Sequence, residues 1–332
     1  MLYDKMMNKK IALITGINGQ DGSYLAEFLL EKGYEVHGTM KRNSISETQA
    51  IRVSHLSDRI TLHYCDMTDL SSLISVLNKT NPTEIYNLAA QSHVRISFDE
   101  PVYTSQVTGI GVLNLLESVR LTNLNCKIYQ ASSSEMFGNT IDSDGFQRET
   151  TQMNPVSPYG CAKVFAYNIC KNYRNSYNMF ISNGILFNHE SPRRGTNFVT
   201  NKVCKEAVKI KYGLSKKLKL GNLNSTRDWG HAKDYVRAMW EILQLEYSDD
   251  FVCSTGISHS VKDLCEYVFK KLNLNWEEYI LEDEKFLRPE ELNNLKGDCS
   301  KLKNATNWQP EYTFETMIDE MVEYWINFYK NK

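Results

Sequence analysis

The chain has 332 residues, 42% of them hydrophobic and 23% charged, with a formal net charge of −2. That balance belongs to a globular protein large enough for one big or two closely joined domains; it excludes a nucleic-acid binder held by bulk positive charge, and a core of this size needs no disulfide or metal staple. No apolar run approaches the roughly 18 residues needed to span a bilayer, and the start, MLYDKMMNKK, lacks the apolar region of a secretory signal.

In chain order, Lys10–Thr15 reads as a buried strand that runs into glycine-rich sequence. Ser23–Lys32 follows with Leu25, Phe28 and Leu29 at helical spacing, and Gly33 stops it. Tyr34–Met40, Ile60–Cys65, Glu84–Leu88 and Lys127–Ser132 are further predicted strands, separated by helices over Asp69–Lys79 and Pro101–Leu121. Tyr159–Tyr177 reads as a long helix and Phe180–Phe187 as a sixth strand. Beyond Asn188 the pattern is irregular, with helices expected over Phe198–Lys211, His231–Leu245 and Val261–Leu272 and strands over Lys217–Leu220 and Asp250–Ser254. Strict alternation through the first 135 residues predicts a doubly wound, Rossmann-like parallel α/β sheet. We expect residues 1–187 with about 227–254 to form it, and about 188–226 with 255–332 to form a smaller C-terminal α/β lobe for substrate. The ligand cleft belongs at the carboxyl ends of the strands.

The eight cysteines are scattered without a CxxC pair, so metal and redox chemistry are not expected and a reducing cytoplasm is. The basic run Lys209–Lys219 is interrupted by Ile210, Tyr212, Gly213 and Leu214 and reads as a solvated helix face and loop. His189 and His231 have no second ligand at metal spacing.

Gly16-Ile-Asn-Gly19-Gln-Asp-Gly22 lies between the first strand and first helix. Glycines there permit a tight turn and let a pyrophosphate approach the helix N-terminus, so a dinucleotide is expected. An NAD site usually carries an acidic residue at the end of the second strand. This chain has Met40-Lys41-Arg42-Asn43-Ser44 instead, and two cations there suit the 2′-phosphate of NADP. Asp66 and Met67, after the third strand, are placed to cradle the adenine, although Asp66 equally suits a helix cap.

Tyr159 and Lys163 stand four residues apart and share a helix face. A phenol titrates near 10, and a nearby ammonium and an oxidised nicotinamide both favour its ionisation. Such a pair removes hydrogen from an alcohol. Ser132-Ser133-Ser134-Glu135 ends the fifth strand, at the edge where ligands bind. The plain reading of that segment is a capped turn. Together with Tyr159 and Lys163, however, Glu135 is placed to take a proton made acidic by a new ketone. This constellation predicts a dehydratase that borrows a hydride and returns it. A sugar epimerase needs no base at that position.

The segments Gly-Gln-Asp-Gly22-Ser-Tyr-Leu, Ile85-Tyr-Asn-Leu-Ala-Ala-Gln-Ser-His-Val94, Asn183-Gly-Ile-Leu-Phe-Asn-His-Glu-Ser-Pro-Arg-Arg-Gly195 and Arg227-Asp-Trp-Gly-His-Ala-Lys-Asp234 resemble the GDP-mannose 4,6-dehydratase family of extended short-chain dehydrogenases/reductases. The likeness runs from about Lys10 to Trp308. It implies NADP as cofactor, GDP-mannose as substrate, and catalysis by Ser133, Glu135, Tyr159 and Lys163. Implied cofactor contacts are Gly16, Gly19, Gln20, Asp21, Gly22, Lys41, Arg42, Ser44, Asp66, Met67, Leu88, Ala89, Ala90, Gln91, Ser92, Tyr103, Lys163, His189 and Arg194. Implied substrate contacts are Asn188, Lys202, Arg227, Arg288 and Glu291, with the backbone around Gly221 reading guanine. The chain departs from the family pattern twice. Ser133 replaces a threonine, which loses the methyl that restrains its rotamer. Lys41-Arg42 replaces a pair of arginines, which loses one bidentate fork. The resemblance further implies a homodimer or homotetramer, with no nucleic-acid or membrane partner. Another nucleotide-sugar dehydratase or epimerase, or a non-catalytic NADP-binding sensor, are the rival readings.

Overall fold

The computed structural model describes residues 10–44, 46–286 and 289–330. Its strands in chain order are β1 (Ile11–Thr15), β2 (Glu35–Met40), β3 (Ile60–Tyr64), β4 (Glu84–Asn87), β5 (Lys127–Ser133) and β6 (Phe180–Leu186). After these come β7 (Asn188–Glu190), β8 (Leu218–Leu220), β9 (Thr226–His231), β10 (Asp250–Cys253), β11 (Ser258–Ser260) and β12 (Ile280–Glu282). The principal helices are α1 (Gln20–Glu31), α2 (Leu70–Thr80), α3 (Val94–Asp99), α4 (Gly111–Leu121) and α5 (Pro158–Tyr177). They continue with α6 (Val199–Lys211), α7 (Ala232–Gln244), α8 (Val261–Lys271), α9 (Ser300–Thr306) and α10 (Phe314–Lys330).

Seven strands form one sheet in the order β10-β6-β5-β4-β1-β2-β3, every neighbouring pair parallel. Parallel strands are covered by helices on both faces, which is why β1 reads as an unbroken apolar run. Ala12, Leu13 and Ile14 are all buried, and a fully buried side chain of the size of Leu13 or Ile14 contributes roughly 1.5–3 kcal/mol. One face packs Ile14, Leu25, Leu29, Tyr235 and Met239; the other packs Leu13, Leu73, Leu115, Ile128 and Cys170. Strand β1 lies between β2 and β4, so the chain reverses its direction of travel across the sheet there. A crevice opens at such a switch point. Thr15 closes its floor: its hydroxyl donates to Asn87 Oδ1 at 2.6 Å and accepts from Leu88 N and Ala89 N at 3.0 and 3.1 Å.

The doubly wound sheet is the one expected, and each predicted strand within it is present. Helix α1 starts earlier than predicted, at Gln20, because Gly22 is part of its first turn. A Cβ at Gly22 would lie 2.6 Å from Gly16 O and Ile17 Cα, so only glycine lets the helix sit this close to the strand exit. The stretch expected as one helix over Pro101–Leu121 is broken. A short helix Pro101–Thr104 passes through a π-helical turn, Ser105–Ile110, into α4. The turn points the Thr108 hydroxyl at Gln91 N (3.1 Å).

The irregular second half holds more structure than its sequence pattern predicts. Strands β11, β9 and β7 form a three-stranded sheet, and β12 pairs with β8 in parallel. The region after Thr255, expected to be rich in loops, ends in α9 and α10. Phe314, Met317, Ile318, Met321, Val322 and Trp325 bury one stripe of α10. That stripe packs with Val203, Ala207, Leu264, Val268 and Phe269 in a separate core. Cys299, Leu302 and Trp308 pack instead with the core of the large sheet.

Candidate active site

A cavity of about 690 Å³ runs along the carboxyl ends of β1–β6 and under the smaller lobe. Of the residues named from sequence, Gly16, Gly19, Gln20, Asp21, Gly22, Lys41, Asp66, Met67, Leu88, Ala89, Ala90, Ser92 and Tyr103 line it. So do Ser133, Glu135, Tyr159, Lys163, Asn188, His189, Arg194, Lys202, Gly221, Arg227 and Glu291. Arg42 and Ser44 lie on exposed chain outside that wall. Gln91 turns away: its amide reaches Thr104 Oγ1 at 3.0 Å and accepts from His93 N at 2.7 Å. Arg288 falls outside the described residues.

The glycine turn forms a cradle. Gly16 has φ +67° and sits against Ala89, whose Cα would be 3.0 Å from an added Cβ. Gly19 is the N-cap of α1, yet no side chain caps that end. Gln20, Asp21 and Gly22 of the first turn line the cavity, so the helix presents unsatisfied amides to a ligand. A Cβ at Gly19 would meet only Gly16 O within 4 Å and would otherwise stand in the open space. These features fit a dinucleotide pyrophosphate. His189 fastens the cradle to the β6–β7 crossing. Its Nδ1 donates to Phe187 O at 2.8 Å and its Nε2 pairs with Asp21 Oδ2 at 2.7 Å. Burial opposes both charges, but the pairing outweighs it: Asp21 is held below its usual range and His189 above.

At the end of β2, Lys41 Nζ donates to Tyr103 OH at 3.1 Å and lies 3.4 Å from Asp66 Oδ2. Asp66 also accepts from Thr68 N and Oγ1 at 2.9 and 2.8 Å.

The catalytic candidates converge from β5 and α5. Ser157 caps α5 by accepting from Gly160 N at 3.0 Å, and Pro158 opens the helix. A Cβ at Gly160 would be 2.8 Å from Glu135 O, so glycine lets the helix press its first turn against the Glu135 backbone. Ser133 caps the one-turn helix Ser134–Phe137 by accepting from Glu135 N at 3.2 Å. The segment is therefore both the capped turn and a wall of the cavity. Ser133, Glu135, Tyr159 and Lys163 are all buried.

Burial pushes the Tyr159 phenol up to about 12; the Ser133 hydroxyl, in hydrogen-bonding reach, works against this and the Glu135 carboxylate works with it. Burial brings the Lys163 ammonium down to about 8. Lys163 Nζ donates to Ala131 O at 2.6 Å and stands 5.7 Å from the centre of the Tyr159 ring. With the lysine beside it, the phenol is thus still held above its ordinary value.

Across the cavity, Arg227 Nη1 donates to Thr226 O and Leu292 O at 2.8 and 3.1 Å. Lys202 Nζ donates to Lys219 O at 2.7 Å and lies 3.6 Å from the centre of the Phe286 ring. Among the described residues, buried Asn188 Oδ1 and Ser225 Oγ have no hydrogen-bond partner, which suits a wall built for a polyhydroxylated ligand. His231 is buried away from the cavity, pairing with Glu320 at 2.7 Å and stacking on Tyr312. Sequence reasoning missed Arg52, Arg193 and Phe286, all of which line the cavity. They lie in loops or short turns and carry no periodic signal.

The doubly wound sheet, its glycine cradle and the Ser133–Tyr159–Lys163 cluster define an extended short-chain dehydrogenase/reductase. A family profile described as GDP-mannose 4,6 dehydratase matches residues 13–321. A GDP-mannose 4,6 dehydratase from Cricetulus griseus is 48% identical, over 96% of this chain and 92% of that one. A second, from Arabidopsis thaliana, is 50% identical over 95% of this chain and 86% of its own. Among solved structures, the dTDP-glucose 4,6-dehydratase of Bacillus anthracis superposes with a TM-score of 0.83 at 22% identity, over 97% of this chain and 98% of that one. The chain belongs to the GDP-mannose 4,6-dehydratase family.

Proposed function

We propose that the protein converts GDP-mannose to GDP-4-keto-6-deoxymannose with release of water, acting as a carbon–oxygen lyase with NADP as resident cofactor. The observation that carries this is Glu135 buried at the same cavity wall as Tyr159, Lys163 and Ser133.

Tyr159 Oη takes the proton of the C4 hydroxyl, and the Ser133 hydroxyl donates to the same oxygen. When bound, oxidised NADP supplies a positive charge that favours the Tyr159 phenolate and a reversible store for the electron pair moved from C4 to C6. Lys163, fixed on Ala131 O, orients the cofactor side of the pocket. Glu135 removes the C5 proton that the C4 ketone makes acidic and delivers it to the departing C6 oxygen, which leaves as water; C5 then regains a proton from Tyr159, which held the one from the C4 hydroxyl, so both groups end as they began. General acid–base steps of this kind contribute about 10²–10⁴ each. The Gly16–Gly22 turn, Asp21, His189, Lys41, Asp66 and Tyr103 hold the dinucleotide. Asn188, Lys202, Gly221, Arg227, Glu291 and, from its place in the sequence, Arg288 hold the nucleotide sugar; the two arginines and Lys202 suit its diphosphate.

The separate core that includes α6, α8 and α10 supports a division into a sheet domain, residues 1–187 with about 227–254, and a substrate lobe, about 188–226 with 255–332, except that Cys299, Leu302 and Trp308 pack with the sheet domain. Among the described residues no helix is long and apolar enough to cross a membrane. Free cysteines support a reducing cytoplasmic setting. Exposed Ile110, Leu121, Phe165 and Tyr177, on and beside the adjoining helices α4 and α5, support a homodimer or homotetramer built on that face.

The decisive experiment uses GDP-mannose carrying deuterium at C4. The label should reappear at C6 of the same molecule, read by mass spectrometry. Loss of the label to solvent, or its retention at C4, would refute the reading.

A further inference from the structure

Four cations on the cavity wall have a carboxylate within reach. Lys41 pairs with Asp66 (3.4 Å), Arg95 with Asp99 (2.8 Å), Arg193 with Glu27 (2.5 Å) and Arg194 with Glu190 (3.2 Å). Arg52 differs. It is half-buried and lines the same cavity. Its Nε donates to Arg193 O at 3.0 Å and its Nη1 to Asn18 O at 3.3 Å. Among the described residues no carboxylate pairs with it. Burial, and next to it the charge of Arg193, disfavour its guanidinium. A partly desolvated cation without a counter-ion is costly, and an anion arriving beside it removes that cost.

The position of Arg52 says which anion. Its guanidinium rests on Asn18, in the glycine turn between β1 and α1. Asn18 Nδ2 in turn donates to Gln49 O at 3.0 Å. Gln49 ties down the exit of β2, bonding Lys41 O through Nε2 and accepting from Asn43 N at 3.3 Å. Arg52 therefore stands where the glycine turn meets the end of β2. In a doubly wound sheet that corner faces the adenosine ribose, whose 2′ position distinguishes NADP from NAD. The pyrophosphate already has the uncapped start of α1. Of the two cations the sequence pattern favours for the 2′-phosphate, Lys41 is engaged by Asp66 and Tyr103, and Arg42 lies outside the wall.

We propose that Arg52 is the main contact for the 2′-phosphate and sets the preference for NADP over NAD. This rests on reading the cavity as a dinucleotide site. The test is equilibrium binding of NADP and of NAD to the cofactor-stripped full chain by calorimetry, for the wild type, Arg52→Gln and Arg52→Lys. Wild type should bind NADP more tightly. Arg52→Gln should weaken NADP about ten- to a hundredfold, the span of a charge-assisted hydrogen bond, and leave NAD within about twofold. Arg52→Lys, which keeps the charge but loses the fork, should fall between. It also serves as the variant of record if Arg52→Gln does not fold. Equal losses for both dinucleotides, or no loss for either, would overturn the assignment to Arg52. A wild type with no preference for NADP would overturn the NADP reading itself.

Discussion

Replacing Lys163 by methionine should raise stability at neutral pH while disabling turnover. Lys163 is buried and makes its hydrogen bond to Ala131 O at 2.6 Å. Burial lowers its titration from 10.5 to about 8. Between those values the unfolded chain holds a proton that the folded chain does not, so stability rises with pH across that window and is lost as pH falls through 8. The gap corresponds to about 3 kcal/mol missing at pH 7. Methionine removes the charge and fills similar volume. Ala131 O keeps a donor, Gln130 Nε2 at 3.0 Å, so losing the lysine hydrogen bond costs only about 1 kcal/mol. The net gain at pH 7 is about 2 kcal/mol. Urea unfolding of both proteins, without added cofactor, at pH 7 and pH 9.5 reads it directly. Lys163→Met should lead at pH 7, and the wild type should close the gap by pH 9.5. A variant that is less stable at pH 7, or a difference that does not change with pH, would refute the reasoning.

Tyr159→Phe should cut formation of the 4-keto product about 10²–10⁴-fold, followed by mass spectrometry, with unfolding free energy changed by less than about 1 kcal/mol. Glu135→Gln should slow exchange of the C5 hydrogen with heavy water far more than it weakens GDP-mannose binding; unchanged exchange would exclude Glu135 as the base. His189→Gln should lower the melting temperature most between pH 3.8 and 6.5. Below 3.8 the advantage should fade as pH falls through the lowered titration of Asp21, and above 6.5 it should fade as pH rises through the raised titration of His189. A difference that stays flat from pH 5 to pH 9 would show the Asp21–His189 pair contributes no charge interaction.

The large sheet was legible because its strands are apolar, regularly spaced and separated by amphipathic helices. The three-residue strands Asn188–Glu190 and Ser258–Ser260 were not: polar and short, they exist because β9 lies between them and supplies their hydrogen bonds. Helix α10 is a different kind of miss. Its buried residues recur at three- and four-residue spacing from Phe314 to Trp325, so the signal was present in the sequence and went unread. That Ser133, Glu135, Tyr159 and Lys163 meet at one cavity was legible because Tyr159 and Lys163 share a helix and Glu135 follows a strand. Arg52 was not: it lies in a turn without periodic signal, and only three-dimensional packing shows that it lines the cavity and that no carboxylate among the described residues pairs with it. Charge alone pointed to Lys41 and Arg42; that Asp66, in the connection after β3, and Tyr103 reach Lys41 is visible only in the fold.

The π-helical turn at Ser105–Ile110 has a consequence for how chains of this kind tolerate changes of length. Each helical residue advances the spiral by about 100°. A π turn spends one extra residue on nearly the same sweep, so deleting one residue from it would restore ordinary winding and leave Pro101–Thr104 facing almost as before relative to α4. The contact most exposed to the change is the one made from within the turn, Thr108 with Gln91 N. When homologous chains differ by a single amino acid in total, this coil is therefore as good a place to seek the missing one as residues 213–216, on the surface beyond α6.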